Sequence, residues 1–377
     1  MNQKIAFFYL NTGGGHVGPA KSLVKEINRL YPTECETILQ HGFSKRMKYS
    51  RFFFEDGYRL TTNYFEAGYI LFYRITTLPV SKYFGNYLIS IHGERDIARF
   101  IRDEGITKIV CMHEVLIMIL RKVIDTVNPK IPLITIVTDP FTAHNLWFFK
   151  KNNTLIVFSE KLKKDAVEKY GFSPERVHVF PFMLSRNFDH MYTELEKKEV
   201  MQRLGFPENN KVLLIAGGGE GLKNAASLVS RFIKEKRIET LVIVCGKNKS
   251  LRKKIDRLVE KSGQSSIFVY GFVDFMPDLL NISDCVITKG GASTVMEVLA
   301  CRKPVIFSTY IRGQELGNVL YAIHNGTGWF IKKPADIINQ AMKVLEDQKL
   351  RVSIQEKCEK LSLRNGIEEI ARFIYNF

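Results

Sequence analysis

The sequence predicts an α/β protein of two doubly wound domains, each a parallel sheet covered by helices. Its 377 residues are too many for one ordinary hydrophobic core and suit two domains. Short apolar segments alternate with helical stretches through most of the chain, which is typical of parallel sheets. Apolar residues make up 45% and charged residues 25%, as in globular proteins and unlike disordered ones.

Each half of the chain carries candidate strands, which are short apolar runs between turn residues. They are 5–10, 108–112, 133–138, 154–158 and 177–179 in the first half, and 212–216, 240–245, 267–270, 285–288 and 304–307 in the second. Periodicity breaks before a helical run at 193–204, so we expect domains of residues 1–188 and 189–377. The final helix is expected to return to the N-terminal domain.

The charge balance favours polyanionic partners. There are 55 Lys and Arg against 39 Asp and Glu, a formal net charge of +16. Nucleic acid, anionic lipid headgroups and phosphorylated substrates all suit such a charge. No apolar run reaches the ~20 residues that span a bilayer, and the N-terminal run is too short for a signal peptide. We therefore expect peripheral membrane contact, on the cytoplasmic face.

The six cysteines contain no C-x-x-C pair. They are expected to be reduced core residues and not a disulfide framework or a zinc site.

A glycine-rich turn follows the first strand of each half. The residues are Gly13, Gly14 and Gly15 in the first turn, and Gly218, Gly219 and Glu220 in the second. Glycines allow close backbone approach to a ligand, and the N-terminal amides of a following helix favour negative charge. The first turn ends in His16, with a helix expected from about residue 19. Since ligands bind at the carboxyl ends of parallel strands, both turns are expected to line one interdomain cleft.

A third turn joins a strand to a helix whose first residues carry hydroxyls. It comprises Gly291, Ala292, Ser293 and Thr294. Open amides and the helix dipole can hold a diphosphate there without metal, and Glu297, one turn further on, can bind ribose hydroxyls. The alternative is a helix capped by Ser293 or Thr294, with Glu297 as an ordinary first-turn acid.

These motifs resemble the monogalactosyldiacylglycerol synthase group of diacylglycerol glycosyltransferases, which is related to the peptidoglycan lipid-intermediate N-acetylglucosaminyltransferases. Residues 11–16 (NTGGGH) look like the family's D-T-G-G-G-H, and 138–147 (TDPFTAHNLW) look like its T-D-x-x-T-x-H-x-x-W. His113 lies in a segment similar to its S-V-H-P. Stretches similar to its donor domain are 271–276, 287–297 and 313–318. Departures from the family's pattern are Asn11, Val17, Arg312 and Leu316, where it has Asp, Arg, Pro and Lys.

The resemblance implies a GT-B fold and transfer of a hexose, with inversion, from UDP-galactose or UDP-glucose to diacylglycerol in glycolipid synthesis. The donor-binding residues that it implies are the second and third turns together with Phe272, Val273, Glu297, Gln314, Glu315 and Asn318. The changes near Gln314 leave galactose and glucose both open. No D-x-D motif stands out, so no metal or other cofactor is expected.

Inverting transfer needs a base that takes the proton of the acceptor hydroxyl. With an ordinary pKa near ~6.5, a histidine suits this task at neutral pH. His16 is the first choice because it ends a glycine turn, and His113 and Asp139 are the alternatives.

The stretch between Ser44 and His92 departs from the α/β pattern, with thirteen Phe or Tyr, seven Lys or Arg and only three acids. Aromatic rings settle at membrane interfaces, and cations are drawn to anionic headgroups. The residues expected to contact anionic membrane lipids are Lys45, Arg46, Lys48, Arg51, Phe52, Phe53 and Phe54. The alternative is that these rings belong to the core of the first domain.

Three other functions remain open at this point. A polyprenyl-linked-sugar N-acetylglucosaminyltransferase or a UDP-N-acetylglucosamine epimerase would use the same fold. A nucleic-acid-binding protein would suit the charge, but no RNP, zinc-finger or helix-turn-helix pattern accompanies it, so no nucleic-acid partner is expected.

Overall fold

The computed structural model describes residues 3–12, 14–57, 93–235 and 239–377. Their contacts divide the chain into two units. Unit 1 comprises Met1–Met183, Arg312–Gln314 and Gly366–Phe377, and unit 2 comprises Leu184–Ile311 and Glu315–Asn365. Within the described ranges, no helix has the length and apolarity needed to cross a membrane.

Unit 1 is built on a six-stranded parallel sheet. Its strands are β1 (Gln3–Tyr9), β2 (Cys35–His41), β3 (Lys108–Cys111), β4 (Leu133–Ile136), β5 (Thr154–Val157) and β6 (Val177–Val179). They lie in the order β2-β1-β3-β4-β5-β6. The three strands β3, β4 and β5 are buried throughout, as expected where helices cover both faces of a parallel sheet. Winding reverses between β1 and β3, and ligands of doubly wound sheets bind at such a switch point.

The helices of unit 1 before residue 183 cover this sheet. They are α1 (Gly14–Leu30), α2 (Lys48–Arg51), α3 (93–103), α4 (Ile117–Val127) and α5 (Glu160–Lys164). The chain continues from α2 as a π-helical turn over Phe52–Asp56. The expected helix start near residue 19 is wrong, because α1 begins at Gly14 and contains Pro19. First-turn amides need no partner within a helix, so the glycines of the turn can begin it, and His16 lies in that first turn.

Unit 2 repeats the architecture. Its strands are β7 (Val212–Ala216), β8 (Thr240–Val244), β9 (Ile267–Tyr270), β10 (Cys285–Lys289), β11 (Val305–Thr309) and β12 (Gly328–Phe330), in the order β12-β11-β10-β7-β8-β9. All neighbours are parallel. Winding reverses between β7 and β10. The predicted fold class, two doubly wound α/β domains, is confirmed.

The helices of unit 2 form two apolar clusters with the sheet. These helices are α6 (Glu194–Arg203), α7 (Ala225–Glu235), α8 (Lys249–Ser262), α9 (Met276–Ile282), α10 (Ala292–Ala300), α11 (Leu316–His324), α12 (Pro334–Glu346) and α13 (Gln348–Lys360). The start of α6 is fixed by a capping box, in which Thr193 and Glu196 satisfy each other's backbone amides.

The last helix, α14 (Ile367–Asn376), groups with unit 1. The rings of Tyr31 and Tyr375 stack with their centroids 3.6 Å apart, which joins α14 to the end of α1. The Nζ atom of Lys108, on β3, donates to the carbonyls of Ile374 and Tyr375 at 2.5 and 2.8 Å. A cation there satisfies final carbonyls of the helix and complements its dipole.

Candidate functional site

The switch point of the unit 1 sheet brings two predicted base candidates together. His16 follows β1 and His113 follows β3. Their ring centroids are 4.5 Å apart, and both side chains are buried. The positions follow from topology, because β1 and β3 are hydrogen-bonded neighbours whose carboxyl ends share one edge of the sheet.

The hydrogen bonds of His16 define which nitrogen can act as a base. Its Nδ1 lies 2.9 Å from the carbonyl oxygen of Met112 and 3.2 Å from Oγ1 of Thr138. A carbonyl can only accept, which assigns the proton to Nδ1 and leaves the lone pair on Nε2. Burial, and then the neighbouring His113, lower the pKa of His16 to about 4. The imidazole is therefore neutral at pH 7, with Nε2 able to accept a proton.

Both ring nitrogens of His113 are already engaged. Its Nδ1 accepts from the backbone N–H of Val115 at 3.3 Å, and its Nε2 donates to Oγ1 of Thr12 at 2.8 Å. Burial lowers the pKa of His113 to about 3. The geometry gives His113 a supporting place beside His16, with Thr12 as a partner that sequence patterns did not single out.

The segment after β4 holds the third base candidate. Asp139 is buried, and Nε2 of Gln314 donates to its Oδ2 at 3.4 Å. Gln314 groups with unit 1, and its backbone carbonyl accepts from Oγ1 of Thr142 at 2.8 Å. Asp139, an alternative candidate for the base, is thus in contact with Gln314, which is predicted to bind the donor.

Three side chains of this site also offer metal-ligand atoms. The ligand atoms of His16, His113 and Glu114 lie within 4.8 Å of one another. Oε2 of Glu114 is buried 3.4 Å from Nδ1 of His113, and no hydrogen-bond partner for it exists among the described residues. Two imidazoles and a carboxylate are ligands that a divalent ion accepts. The expectation of a metal-free reaction therefore stays a prediction.

At the switch point of unit 2, the turn after β7 is a closely packed backbone surface. Gly218 and Gly221 have φ angles of 72° and 71°, which favour glycine. A Cβ atom on Gly217 would lie 2.4 Å from backbone atoms of Gly221, and one on Gly246 would lie 2.3 Å from the carbonyl oxygen of Gly219. Side chains are therefore excluded at Gly217 and Gly246 beside the predicted turn, whereas a Cβ atom on Gly218 would meet nothing closer than 3.9 Å.

The start of helix α10 is the turn for which an anion site is predicted. Gly291 is its N-cap residue, and no side-chain hydrogen bond caps the helix. The alternative in which Ser293 or Thr294 acts as the cap is not what the structure shows. Glu297 lies one turn in, its carboxyl group makes no hydrogen bond or ion pair with the described side chains, and burial raises its pKa to about 7. Open amides at such a helix start favour a diphosphate.

Glu315, predicted to meet the donor sugar, has both carboxylate oxygens engaged within unit 2. Oε1 accepts from Nζ of Lys289 at 2.7 Å, and Oε2 accepts from the backbone N–H of Ile311 at 2.8 Å. A Cβ atom on Gly291 would lie 3.7 Å from that ammonium group. Lys289 thus stands beside the α10 turn. Its place directly before two glycines was the sequence signal that could have identified it.

The remaining predicted donor residues lie around the same edge of the unit 2 sheet. Asn318 donates through Nδ2 to the carbonyl of Gly290 at 2.9 Å, which fixes the turn. Phe272, just after β9, is 67% exposed, and Nζ of Lys247 lies 5.7 Å from its ring centroid. Val273 packs against the core. Phe272 therefore offers a free aromatic face and Val273 only its backbone.

The predicted membrane segment is only partly exposed. Lys45, Arg46, Lys48 and Arg51 all lie on the surface. Phe52 and Phe53 are 62% and 42% exposed, and Tyr49, which the prediction omitted, is 88% exposed.

The ring of Phe54 instead packs on the unit 1 core, with its centroid 6.0 Å from that of Phe43. Phe54 therefore does not share the exposed face. Residues 58–92 of the segment, and Gly13 of the first turn, lie outside the described residues.

Comparison with known proteins shows which fold and which families this chain is similar to. The family model of monogalactosyldiacylglycerol (MGDG) synthase matches residues 16–181, and that of glycosyl transferases group 1 matches residues 196–361. A crystal structure of Acinetobacter baumannii MurG aligns over 100% of both chains, with a TM-score of 0.64 and 14% identity. Two Rossmann-like domains of this kind define the GT-B fold.

The particular relatives are diacylglycerol glycosyltransferases. The chain is 28% identical to the probable monogalactosyldiacylglycerol synthase of Nicotiana tabacum, over 89% of this chain and 63% of that protein. It is 24% identical to the processive diacylglycerol beta-glucosyltransferase of Bacillus pumilus, over 98% of this chain and 94% of that protein. The resemblance of the motifs to the monogalactosyldiacylglycerol synthase group is confirmed, and the chain spans less than two thirds of the tobacco relative.

Proposed function

We propose that this chain is an inverting glycosyltransferase that moves a galactose or glucose residue from its UDP-sugar to diacylglycerol at a membrane surface. The proposal is based on the protonation state and geometry of His16. In the part of the chain that matches the synthase family, a neutral imidazole has its Nδ1 held by Met112 and its Nε2 left to take a proton. Removing the proton of an acceptor hydroxyl is the step that such a base assists.

The proposed donor site is the α10 turn of unit 2. Its uncapped amides bind the diphosphate, and Lys289 beside them adds positive charge as UDP departs. Glu297, with a free carboxyl group, binds the ribose hydroxyls. Together these groups supply the stabilisation of the leaving group that many transferases take from a metal ion, so the reaction proceeds without one.

The proposed membrane contact is the exposed face of residues 45–53. It combines three exposed rings with four cations, which suits an anionic bilayer surface. A two-chain acceptor stays in the bilayer, so the enzyme must reach it there. The contact is peripheral in this proposal, on the cytoplasmic face.

The proposal is tested by incubating purified protein with UDP-galactose or UDP-glucose and diacylglycerol-containing vesicles, and identifying lipid products by mass spectrometry. A hexosyl-diacylglycerol that forms equally after treatment with EDTA is expected. Loss of activity with EDTA that Mn²⁺, Mg²⁺ or Zn²⁺ restores would overturn the metal-free reaction and point to the His16, His113 and Glu114 group.

The same assay separates the rival enzymes. Release of an epimerised sugar with no lipid product would favour an epimerase, and a product formed only on a polyprenyl-linked acceptor would favour the other transferase. Either result would overturn diacylglycerol as the acceptor.

A further inference from the structure

A buried carboxylate joins the exposed aromatic helix to the turn beside the histidine pair. Glu55 lies in the π-helical turn Phe52–Asp56 and is 6% exposed. It stands on the inner side of the segment whose outer side carries Tyr49, Phe52 and Phe53. A carboxylate is costly to bury unless several donors satisfy it, so its partners matter.

Three donors from three elements converge on Glu55. Its Oε1 lies 2.5 Å from the backbone N of Asn11 and 2.8 Å from Nε2 of His41, and its Oε2 lies 3.1 Å from Nε of Arg51. Burial alone would raise the pKa of Glu55, but the hydrogen bonds from His41 and Asn11 outweigh it and hold the pKa below its usual range. The group is therefore an ionised clamp between the end of β1, the end of β2 and the helix.

A short series of contacts connects the Glu55 clamp to His16, the candidate base. Asn11 precedes Thr12, whose Oγ1 accepts from Nε2 of His113 at 2.8 Å. The ring of His113 in turn lies against that of His16, with centroids 4.5 Å apart. Two hydrogen bonds, one peptide unit and one ring contact therefore connect Glu55 to His16, so a shift of the helix can alter the position of the imidazole pair.

We propose that Glu55 is a positioning residue that couples seating of the exposed aromatic helix on an anionic bilayer to the alignment of His113 and His16. It touches no substrate and acts through the Asn11–Thr12 turn. The proposal rests on the function proposed above, because it supplies that enzyme with a response to its own membrane surface.

The test compares Glu55→Gln with the wild-type protein on vesicles with and without anionic lipid. The substitution keeps the size of the side chain but removes the charge that holds Asn11, His41 and Arg51. The loss of a hydrogen bond to a charged group changes an equilibrium constant about tenfold or more. We therefore expect kcat to fall about tenfold, with the donor KM unchanged. Stimulation by anionic vesicles should disappear while vesicle co-sedimentation persists.

Glu26→Gln is the matched control. Glu26 is 3% exposed and ion-paired to Arg29, also in unit 1, but has no contact with the Asn11–Thr12 turn among the described contacts. We expect it to lower thermal stability as much as Glu55→Gln while retaining stimulation by anionic vesicles. Equal kinetic losses in both variants, or kcat of Glu55→Gln within twofold of wild type, would overturn the coupling.

Amide hydrogen exchange gives a readout that needs no transferase activity. The Asn11 amide should exchange at least about tenfold faster in Glu55→Gln than in wild type, while amides of β4 stay unchanged. If the wild-type protein made no glycolipid, the proposed function would fail, yet this measurement would still test the clamp. Unchanged exchange at Asn11 would overturn the role of Glu55.

Discussion

At the scale of single residues, the site depends on keeping two adjacent imidazoles neutral. Burial disfavours the charged form of both rings, and for His16 the neighbouring His113, with its centroid 4.5 Å away, adds repulsion. The low pKa values of His16 and His113 are thus a consequence of their placement. In the proposed reaction, a His16 imidazole that is neutral at pH 7 needs no deprotonation before each turnover.

His16→Ala should lower kcat by roughly 10²–10⁴ and leave the donor KM within about twofold, because help from a general base appears only in the transition state. Steady-state kinetics with varied UDP-sugar measure both constants. Asp139→Asn is the comparison variant. Near-normal turnover of His16→Ala, together with a collapse in Asp139→Asn, would move the role of base to Asp139.

The same two histidines should make unit 1 sensitive to acid. Their folded pKa values of about 4 and about 3 lie below the unfolded value near ~6.5, so the unfolded chain binds more protons below that pH. Stability is therefore lost as the pH falls from about 6.5 towards about 4. Between pH 7 and pH 5 each histidine should remove about 2 kcal/mol from the free energy of unfolding.

This loss can be measured by urea unfolding followed through Trp147, in a Trp329→Phe background so that the signal comes from unit 1. His113→Gln should reduce the difference between pH 7 and pH 5 by about 2 kcal/mol. His190→Gln, in unit 2, should leave this unit 1 signal unchanged. If His113→Gln left the difference in unfolding free energy between pH 7 and pH 5 unaltered, His113 would be protonated to the same extent in the folded and unfolded states.

At the scale of elements, one buried lysine contributes to the attachment of α14 to unit 1. Lys108 is 5% exposed, and burial lowers its pKa to about 8. Lys108→Met keeps the apolar stem but leaves the carbonyls of Ile374 and Tyr375 without this donor. Unfulfilled buried acceptors cost about 1–3 kcal/mol, so thermal unfolding should occur at a clearly lower temperature.

Lys122→Met is the control for this prediction, since its ammonium is exposed and pairs with Glu94 at the surface. Exposed ion pairs contribute at most about 1 kcal/mol. Equal losses in the two variants would argue against a special role of Lys108. Faster proteolysis of the last ten residues in Lys108→Met alone would locate the effect at α14.

The elements that sequence predicted best are those with a local signal. All ten predicted strands lie within two residues of observed ones, because fully buried strands read as continuous apolar runs. The edge strand β2 was missed since its sequence, CETILQH, mixes polar and apolar residues on a half-exposed edge. The strand β12 has only three residues. The expected start of α1 near residue 19 is too late because Pro19, a residue type common in the first turn of helices, lies inside this one.

Site residues show the same division. The glycine turns and His16 were predicted because each is a short pattern at a strand end. Glu55, the Met112 carbonyl and Thr12 were not, because their partners lie 44, 96 and 101 residues away in sequence. Such contacts depend on strand order, and a single sequence carries no local trace of them.

At the scale of the whole molecule, the net charge of +16 attracts the protein to any anionic surface. This attraction is long-ranged and weakens with salt, since the Debye length falls from ~10 Å at 0.1 M to ~3 Å at 1 M. Net charge alone selects no face of the molecule. Exposed aromatic rings beside cations select a face, because the rings enter the membrane interface. The face with Tyr49, Phe52 and Phe53 has both exposed rings and cations.

Local contact and net charge are separated by two triple variants that each remove three positive charges. One replaces Lys45, Arg46 and Lys48 by Gln and keeps Arg51, because Arg51 donates to Glu55. The other replaces Lys253, Lys254 and Lys261, which are exposed on α8 of unit 2.

Each cation near an anionic membrane surface contributes about 1 kcal/mol, so the first variant should lose up to about 3 kcal/mol of binding to anionic vesicles. The second should lose much less, and both should bind neutral vesicles as the wild type does. Co-sedimentation at 0.1 M and 1 M salt measures this directly, with the difference between the variants expected to vanish at high salt. Equal losses in the two variants at low salt would mean that net charge alone governs binding and that residues 45–53 are not the membrane contact.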